Sequence, residues 1–172
     1  TLLKTVLTHD DTPVEIRFDN LNAEVTFASG NLKCRLIEGR YPNYNSVIPT
    51  DNPCQMTIDR RSLLGSVKRI LPFASESSQS IRLRLGIGQV EASSEDIDFA
   101  TSAKETIVCD YNGTPMSIGF KGPSLVEILS SLTSDEVLME LADPSRPCLI
   151  FPSEQPEGQN ILMLIMPMLL ND

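Results

Sequence analysis

Residues 59–72 read Asp-Arg-Arg-Ser-Leu-Leu-Gly-Ser-Val-Lys-Arg-Ile-Leu-Pro and carry a clear helix signal. Asp59 is a favourable N-cap residue and Pro72 cannot continue a helix, so the stretch predicts a helix from Arg60 to about Leu71. Its apolar residues share one face: Leu63, Leu64, Val67, Ile70 and Leu71. Its exposed cations share another: Arg61, Lys68 and Arg69. The stretch therefore predicts an amphipathic helix with a basic outer side.

Short strands are predicted on both sides of this helix. Alternating apolar and polar residues indicate strands over 54–58, 81–85, 89–92, 97–101 and 106–111. The Gly-Ile-Gly sequence at 86–88 leads from one strand into the next, so we expect a hairpin turn there. The polar residues 93–96 are expected to form an exposed loop.

The order of one helix followed by several strands recurs three times. The first copy has a helix over 1–7 and strands over 14–18, 23–28 and 32–37. The third has a strand over 116–120, a helix over 123–132 and strands over 137–141, 148–151 and 161–166. Successive helices start about 60 residues apart, which is typical of repeated supersecondary units. The sequence therefore predicts an α+β fold with antiparallel sheets and helices on one face.

The composition excludes several classes of function. The chain has 172 residues, 41% hydrophobic and 22% charged, which is enough for one or two globular domains. Its net charge of -9 excludes a protein that coats nucleic acid through overall basicity. DNA contact would need a local cationic surface such as the outer side of helix 60–71; an ordinary solvated face is the alternative. The longest apolar run, 161–166, is too short to span a membrane, so we expect a cytoplasmic protein.

Neither a catalytic centre nor a metal centre nor a cofactor is predicted. His9, the single histidine, lies in a polar stretch and cannot be paired with a nucleophile from the sequence. The four cysteines lack CxxC spacing and lie in or beside apolar runs, so buried thiols are expected at Cys34, Cys54, Cys109 and Cys148. One acidic group lacks the ligand spacing of a calcium loop and is more typical of a solvated or partner-binding surface: Glu91, Glu95, Asp96 and Asp98.

Three stretches carry a family resemblance: Leu-Ile-Glu-Gly-Arg-Tyr-Pro-Asn-Tyr at 36–44 with Val47 and Pro49, Ile-Gly-Phe at 118–120 leading into Leu-Val-Glu-Ile-Leu at 125–129, and Met-Pro-Met at 166–168. Together they resemble the bacterial beta sliding clamps, the processivity subunits of DNA polymerase III. Residues 1–49 resemble the closing portion of the clamp's middle domain, and residues 50–172 its complete third domain. The resemblance implies a DNA-clamp fold of repeated helix-plus-sheet halves with the helices on the inner face.

The resemblance also implies a non-catalytic function. Clamps of this family form a homodimeric ring that encircles duplex DNA regardless of sequence and tethers DNA polymerase III. A hydrophobic pocket binds linear motifs of DNA polymerase III, the clamp loader and repair polymerases. By resemblance, Arg61, Lys68 and Arg69 face the DNA, with Lys4 a weaker candidate.

The resemblance assigns further residues to two protein contacts. The partner pocket takes Pro42, Ser46, Val47, Lys121, Ser124, Ser145, Pro147, Leu164, Ile165, Met166, Pro167 and Met168. The ring interface takes Ile70, Leu71, Glu91, Glu95, Asp96 and Asp98. Ser46 stands where many relatives have arginine, Ser124 where an aromatic residue is common, and Leu169 where a basic residue can occur.

Other parts of the family's pocket and ring have no counterpart in this sequence, so we expect weak peptide binding and no ring closed by this chain alone. One alternative stays open: an α+β interaction module that uses its apolar C-terminal residues to bind a protein and does not contact DNA. Met-rich surfaces of this kind adapt to several partners.

Overall fold

The computed structural model describes Leu3, Thr5, Leu7 and residues 11–170. The chain divides into two compact units, Thr1–Asn43 and Tyr44–Asp172. The second unit thus begins at Tyr44, whereas the sequence placed the boundary between residues 49 and 50.

The first unit contains an antiparallel sheet of three strands in the order β1-β2-β3. The strands are β1 (Glu15–Phe18), β2 (Asn22–Phe27) and β3 (Gly30–Arg35). The Asp19 carboxylate closes the first hairpin because it accepts the backbone N–H groups of Leu21 and Asn22, each at 2.7 Å. Before this sheet, Leu3 and Thr5 are helical, as the sequence predicts.

The second unit contains one antiparallel sheet of eight strands, against which two adjacent helices pack. Its elements are β4 (Cys54–Asp59), α1 (Arg60–Ile70), β5 (Ser80–Gly86), β6 (Gln89–Asp96), β7 (Thr101–Tyr111), β8 (Met116–Lys121), α2 (Gly122–Ser131), β9 (Glu136–Leu141), β10 (Cys148–Pro152) and β11 (Met163–Ile165), with short 3-10 helices at Tyr44–Ser46 and Leu71–Phe73. The strand order is β11-β10-β9-β4-β7-β6-β5-β8. The predicted α+β fold is confirmed.

Helix α1 forms as its sequence predicts. The Asp59 carboxylate accepts the backbone N–H of Ser62 at 2.7 Å as the N-cap. Hydrogen bonds from the Ser62 side chain and from its backbone N–H lower the pKa of Asp59. Leu63, Val67 and Ile70 are buried in the core between the helix and the sheet. The predicted division of this helix into an apolar and a basic side is therefore confirmed.

Strand β7 joins the two helix-plus-strand halves into one sheet. Its residues 101–108 pair with β6, and Cys109, Asp110 and Tyr111 pair with β4. Strand β4 pairs in turn with β9 along its whole length. The recurring order of helix and strands in the sequence therefore corresponds to two halves of a continuous sheet.

Two predictions around the hairpin between β6 and β7 are wrong. Residues 93–96 belong to β6 rather than to a loop, and residues 97–100 form a turn rather than a strand. The buried carboxylate of Asp96 closes this turn, accepting the N–H groups of Asp98 and Phe99 at 3.0 and 3.2 Å. Ile97 and Phe99, which produced the apparent strand pattern, are 85% and 77% exposed.

The C-terminal residues connect β11 and β8, which are the first and the last strand in the order of the sheet. Strand β11, shorter than predicted, pairs with β10, while Met168 forms an antiparallel bridge with Gly119 in β8. In this bridge the Met168 N–H donates to the Gly119 carbonyl at 2.8 Å. The apolar chain segment after β11 is thus docked along the edge of β8 that β5 leaves open.

Replacing Gly119 tests this docking. A Cβ atom at position 119 would lie 2.9 Å from the Met168 carbonyl oxygen and 2.7 Å from the Leu170 Cδ2 atom, so the bridge must open or shift. We expect Gly119→Ala to lower the free energy of unfolding by about 1–3 kcal/mol in urea denaturation. The Met168 amide should also exchange its hydrogen faster.

Gly86→Ala is the matched control, because the nearest atom to its added Cβ, other than its chain neighbours, lies 3.7 Å away. Its free energy of unfolding should change by less than about 1 kcal/mol. An unaltered exchange rate at Met168 in Gly119→Ala would contradict the docking.

Candidate partner groove and basic helix face

A groove of about 530 Å³ lies between helix α2 and the C-terminal strand. We call it the α2–β11 groove. Its helix side is formed by residues spaced three or four apart, which is the spacing of one helix face. These residues are Lys121, Ser124, Glu127, Ile128 and Ser131, and the strand side is formed by Met163, Leu164, Ile165 and Met166.

The core of the unit fixes which side of α2 faces this groove. Leu125 and Leu129 are fully buried, Val126 and Ile128 are half-buried and pack against the core, and Glu127 is exposed. On the strand side, Ile165 is buried while Met166 is 56% exposed. About half of the residues that line the groove are apolar, and one of them is an exposed methionine. Such a groove suits the binding of an apolar side chain from a flexible peptide segment.

The basic side of α1 is partly neutralised by acidic neighbours. The Arg69 guanidinium donates two hydrogen bonds to the Glu105 carboxylate, at 2.7 and 2.6 Å. This bidentate contact holds the pKa of Glu105 at about 2. Arg61 lies 3.5 Å from Asp135. Within the part of the chain that the structure describes, Lys68 is the cation of this face that has no ion-pair partner.

Arg61 and Arg69 also border a second, larger groove of about 1130 Å³ between α1 and β7. It includes Glu105 and the exposed side chain of Val108. A larger share of its lining residues is charged than in the α2–β11 groove, so an apolar anchor would have relatively fewer apolar contacts there. We therefore regard the smaller α2–β11 groove as the better peptide site.

Residues 45–169 match the family model of the DNA polymerase III beta subunit, C-terminal domain. The chain belongs to this family. It is 28% identical over 151 residues to the beta sliding clamp of Caulobacter vibrioides, covering 88% of this chain and 38% of that protein. It is 26% identical over 168 residues to the clamp of Pseudomonas putida, covering 98% of this chain and 45% of that protein. The chain thus spans less than half the length of these curated relatives.

Solved structures of sliding clamps share this architecture. The Bartonella birtlesii clamp bound to griselimycin superposes with a TM-score of 0.80 at 25% identity, covering 98% of this chain and 44% of that chain. The Caulobacter crescentus clamp has a TM-score of 0.79 at 25% identity, covering 91% and 41%. The fold is therefore the DNA-clamp fold, and the beta subunit is a non-catalytic subunit of the polymerase.

Five of the predicted clamp pocket residues line the α2–β11 groove: Lys121, Ser124, Leu164, Ile165 and Met166. Pro167 and Met168 follow directly and lead into the bridge with Gly119. Sequence reasoning missed Glu127, Ile128, Ser131 and Met163. The first three stand at i+3, i+4 and i+7 from Ser124, so the helical period could have identified them.

A loop between β9 and β10 lies beside the end of β11. Cys148 pairs with Ile165, and continuing that register places Pro147 opposite Met166. The Asn52 side-chain amide donates to the Pro147 carbonyl at 3.0 Å, which ties the segment before β4 to this loop. The Arg146 guanidinium and the Asp51 carboxylate form a second tie.

Ser145, in the same loop, is engaged locally. Its hydroxyl and its backbone N–H donate to the Asp143 carboxylate at 2.6 and 2.8 Å, which lowers the pKa of Asp143. Val47 follows the 3-10 helix that ends at Ser46, and both side chains are exposed. Neither Ser46 nor Val47 is among the described residues that line the α2–β11 groove. Pro42 belongs to the first unit, and these assignments to the clamp pocket stay predictions.

The predicted ring-interface residues differ in their accessibility. Ile70 is 1% exposed and packs in the core of its own unit, so its side chain is not on the surface. Leu71 is half-buried, and Asp96 is used internally to close the turn after β6. The surface-accessible members are therefore Leu71, Glu91, Glu95 and Asp98, and their role in a ring stays a prediction.

Arg60 is a structural residue that sequence reasoning missed. Its guanidinium donates to the carbonyl of Leu129 near the end of α2, at 3.1 Å, and to that of Ser134, at 2.6 Å. A cation at this position satisfies carbonyls that have no partner within the helix and interacts favourably with the helix dipole. No local signal reveals this role, because the partners lie more than 60 residues further along the chain.

The remaining predictions concern metals, thiols and membranes. Among the described residues, no group of three or more His, Cys, Asp or Glu side chains is arranged to hold a metal ion. Cys109 and Cys148 are buried, as predicted, and Cys54 is half-buried, but Cys34 is exposed, so the prediction is wrong there. His9 and Lys4 lie outside the described residues. Over the described ranges, no helix is both long enough and apolar enough to cross a membrane.

The contact between Arg69 and Glu105 predicts that the free energy of unfolding depends on pH in the acidic range. The pKa of Glu105 is lowered from its ordinary value of 4.5 to about 2 in the folded protein. The stabilisation is therefore fully present above about pH 5 and is lost as the pH falls toward 2. We expect Glu105→Gln to make the free energy of unfolding less dependent on pH between 5 and 2, measured by urea denaturation at several pH values.

Arg69→Gln and the double variant Arg69→Gln with Glu105→Gln complete a double-mutant cycle. The free energy of unfolding of the double variant should depend on pH in the same way as that of either single variant. The effect should be small, because both side chains are partly exposed. A Glu105→Gln variant with the same pH dependence as the unaltered protein would contradict the contact.

Proposed function

We propose that this protein acts as the C-terminal part of a DNA sliding clamp, a processivity factor in bacterial DNA replication. In this function it contributes to a homodimeric ring that encircles duplex DNA in the cytoplasm and tethers DNA polymerase III. The α2–β11 groove carries the proposal, because it offers a binding surface for partner peptides in a chain that belongs to the beta subunit family.

The groove's chemistry supports binding of short linear motifs. Ile128, Leu164 and Met166 offer apolar contacts, and burying one leucine-sized anchor side chain contributes roughly 1.5–3 kcal/mol. The Ser124 side chain adds a polar group at the rim, whereas the Ser131 hydroxyl already donates to the Ile128 carbonyl at 2.7 Å. Such a site suits partners that share one motif, which for a clamp means DNA polymerase III, the clamp loader and repair polymerases.

The outer side of α1 supports a weak, sequence-independent attraction to DNA. Lys68 is exposed and unpaired among the described residues, whereas Arg61 and Arg69 would have to exchange acidic partners for phosphates. A ring holds DNA by its topology, so each domain needs to contribute little affinity. This arrangement is compatible with a net charge of -9.

Peptide titration tests the partner groove. A fluorescent peptide with glutamine, leucine and terminal phenylalanine anchors should bind this chain saturably, with weak affinity. Met166→Ala and Leu164→Ala should each weaken binding by about fivefold or more, since each removes an apolar wall of the groove. Fluorescence anisotropy gives the dissociation constants.

Ile87→Ala is the matched control, because Ile87 is an apolar residue, 87% exposed, that lies outside the groove. It should leave the affinity unchanged. Equal affinities for Ile87→Ala and Met166→Ala would show that the peptide binds elsewhere.

A second candidate function is an interaction module that does not contact DNA. The observation that favours it is the pairing of Arg61 and Arg69 with acidic side chains. If the chain contacts DNA through α1, a short duplex should associate weakly at low salt, and Lys68→Glu should reduce this association.

Lys104→Glu makes the same change of charge on β7 and should reduce DNA association less, because Lys104 already lies 3.9 Å from Glu91. No association at low salt would favour the interaction module, and equal losses in the two variants would contradict DNA contact through α1.

A further inference from the structure

The α2–β11 groove carries charges of opposite sign at two points along its length. Lys121 immediately precedes α2, and Glu127 lies six residues later in the helix. At 1.5 Å per residue, these positions are about 9 Å apart along the helix axis. Both side chains are exposed, and over the described residues neither takes part in an ion pair.

The bridge between Met168 and Gly119 determines which end of the strand side of the groove lies near Lys121. Gly119 lies two residues before Lys121, and Met168 lies two residues after Met166. The Met166 end of the strand side therefore lies nearest to Lys121. A segment lying along the groove passes a positive charge at one end and a negative charge farther along.

We propose that Lys121 and Glu127 select extended peptide segments that carry an acidic and a basic side chain three residues apart. This proposal rests on the proposed function and adds the charge preference of the partner motif. In a polyproline II conformation, residues i and i+3 lie on the same side of the chain, about 9 Å apart, which matches the spacing along α2. The acidic side chain lies near Lys121 and the basic one near Glu127.

The apolar part of the groove lies along the same path. Ile128 on the helix and Leu164 and Met166 on the strand receive an apolar side chain of the same segment. The positive end of the α2 dipole adds to the attraction of an acidic side chain near Lys121. The apolar anchor thus supplies most of the affinity, while the two charges fix the direction of the segment.

The size of the charge effect follows from exposure. Exposed ion pairs change affinity by roughly 1.5- to 5-fold each, and salt weakens them. Two such pairs together should separate a matched segment from a neutral one by about 2- to 25-fold at low ionic strength. That ratio is large enough to set a preference among partners that carry the same anchors.

Three peptides with the same anchors test the proposal on the whole chain. One is neutral, and the other two carry aspartate and lysine three residues apart, in opposite orders. At low salt, one charged order should bind more tightly than the neutral peptide and the other less tightly. The double variant Lys121→Glu with Glu127→Lys should reverse this preference, and Lys121→Gln alone should reduce it.

The matched control exchanges a pair of the same residue types outside the groove. Lys104→Glu with Glu91→Lys alters β6 and β7 and should leave the order of the three affinities unchanged. Equal affinities for all three peptides, or an unaltered preference in the Lys121 and Glu127 double variant, would overturn the charge preference and leave the proposed function intact. Absence of binding by the neutral peptide and by both charged ones would overturn the proposed function together with this inference.

Discussion

One backbone hydrogen bond, from the Met168 N–H to the Gly119 carbonyl, holds the C-terminal residues against β8. It matters because a free strand edge presents unpaired backbone groups, and this edge borders the α2–β11 groove. Gly119 permits the bridge because a larger residue would press on the Met168 carbonyl and the Leu170 side chain. Without this contact, the residues after β11 would lose their hydrogen bond to β8, and the strand side of the groove would lose its fixed position.

The helix side of the groove depends on contacts that are equally remote from it. Leu125 and Leu129 bury one side of α2, and Arg60 binds a carbonyl near its C-terminal end. The two helices are therefore connected both by apolar packing and by a charged hydrogen bond. Because α1 and α2 are held together in this way, the basic side of α1 and the α2–β11 groove belong to one structural unit.

The sequence allowed correct prediction wherever the physical cause was local. Helix α1 was predictable because its N-cap, its apolar spacing and Pro72 all lie within 14 consecutive residues. The hairpin between β6 and β7 was not predictable, because the buried Ser94 hydroxyl donates a hydrogen bond to the carbonyl of Ile70, which lies 24 positions earlier. There, polar residues fill a strand and apolar residues fill a turn, so periodicity leads to the wrong assignment.

In the candidate site, too, features with a local cause were predictable and features with a long-range cause were not. The resemblance identified residues on both sides of the groove, but the tie between Asn52 and Pro147 and the role of Arg60 link positions far apart in the chain. The charge pattern on α1 also required the structure, because sequence periodicity gave three cations but not their acidic partners.

These pairings determine how this domain can serve in a clamp. Lys68, which has no ion-pair partner among the described residues, would release about one counterion from DNA, and that is too little for stable binding by contact alone. In the proposed function, a ring would hold the DNA by enclosure, and the specific contacts of this domain would be free to be made with proteins. Lys121 and Glu127, which form no ion pair among the described residues, fit this proposal, because a charge difference of one or two beside the groove would change the choice of partner rather than the retention of DNA.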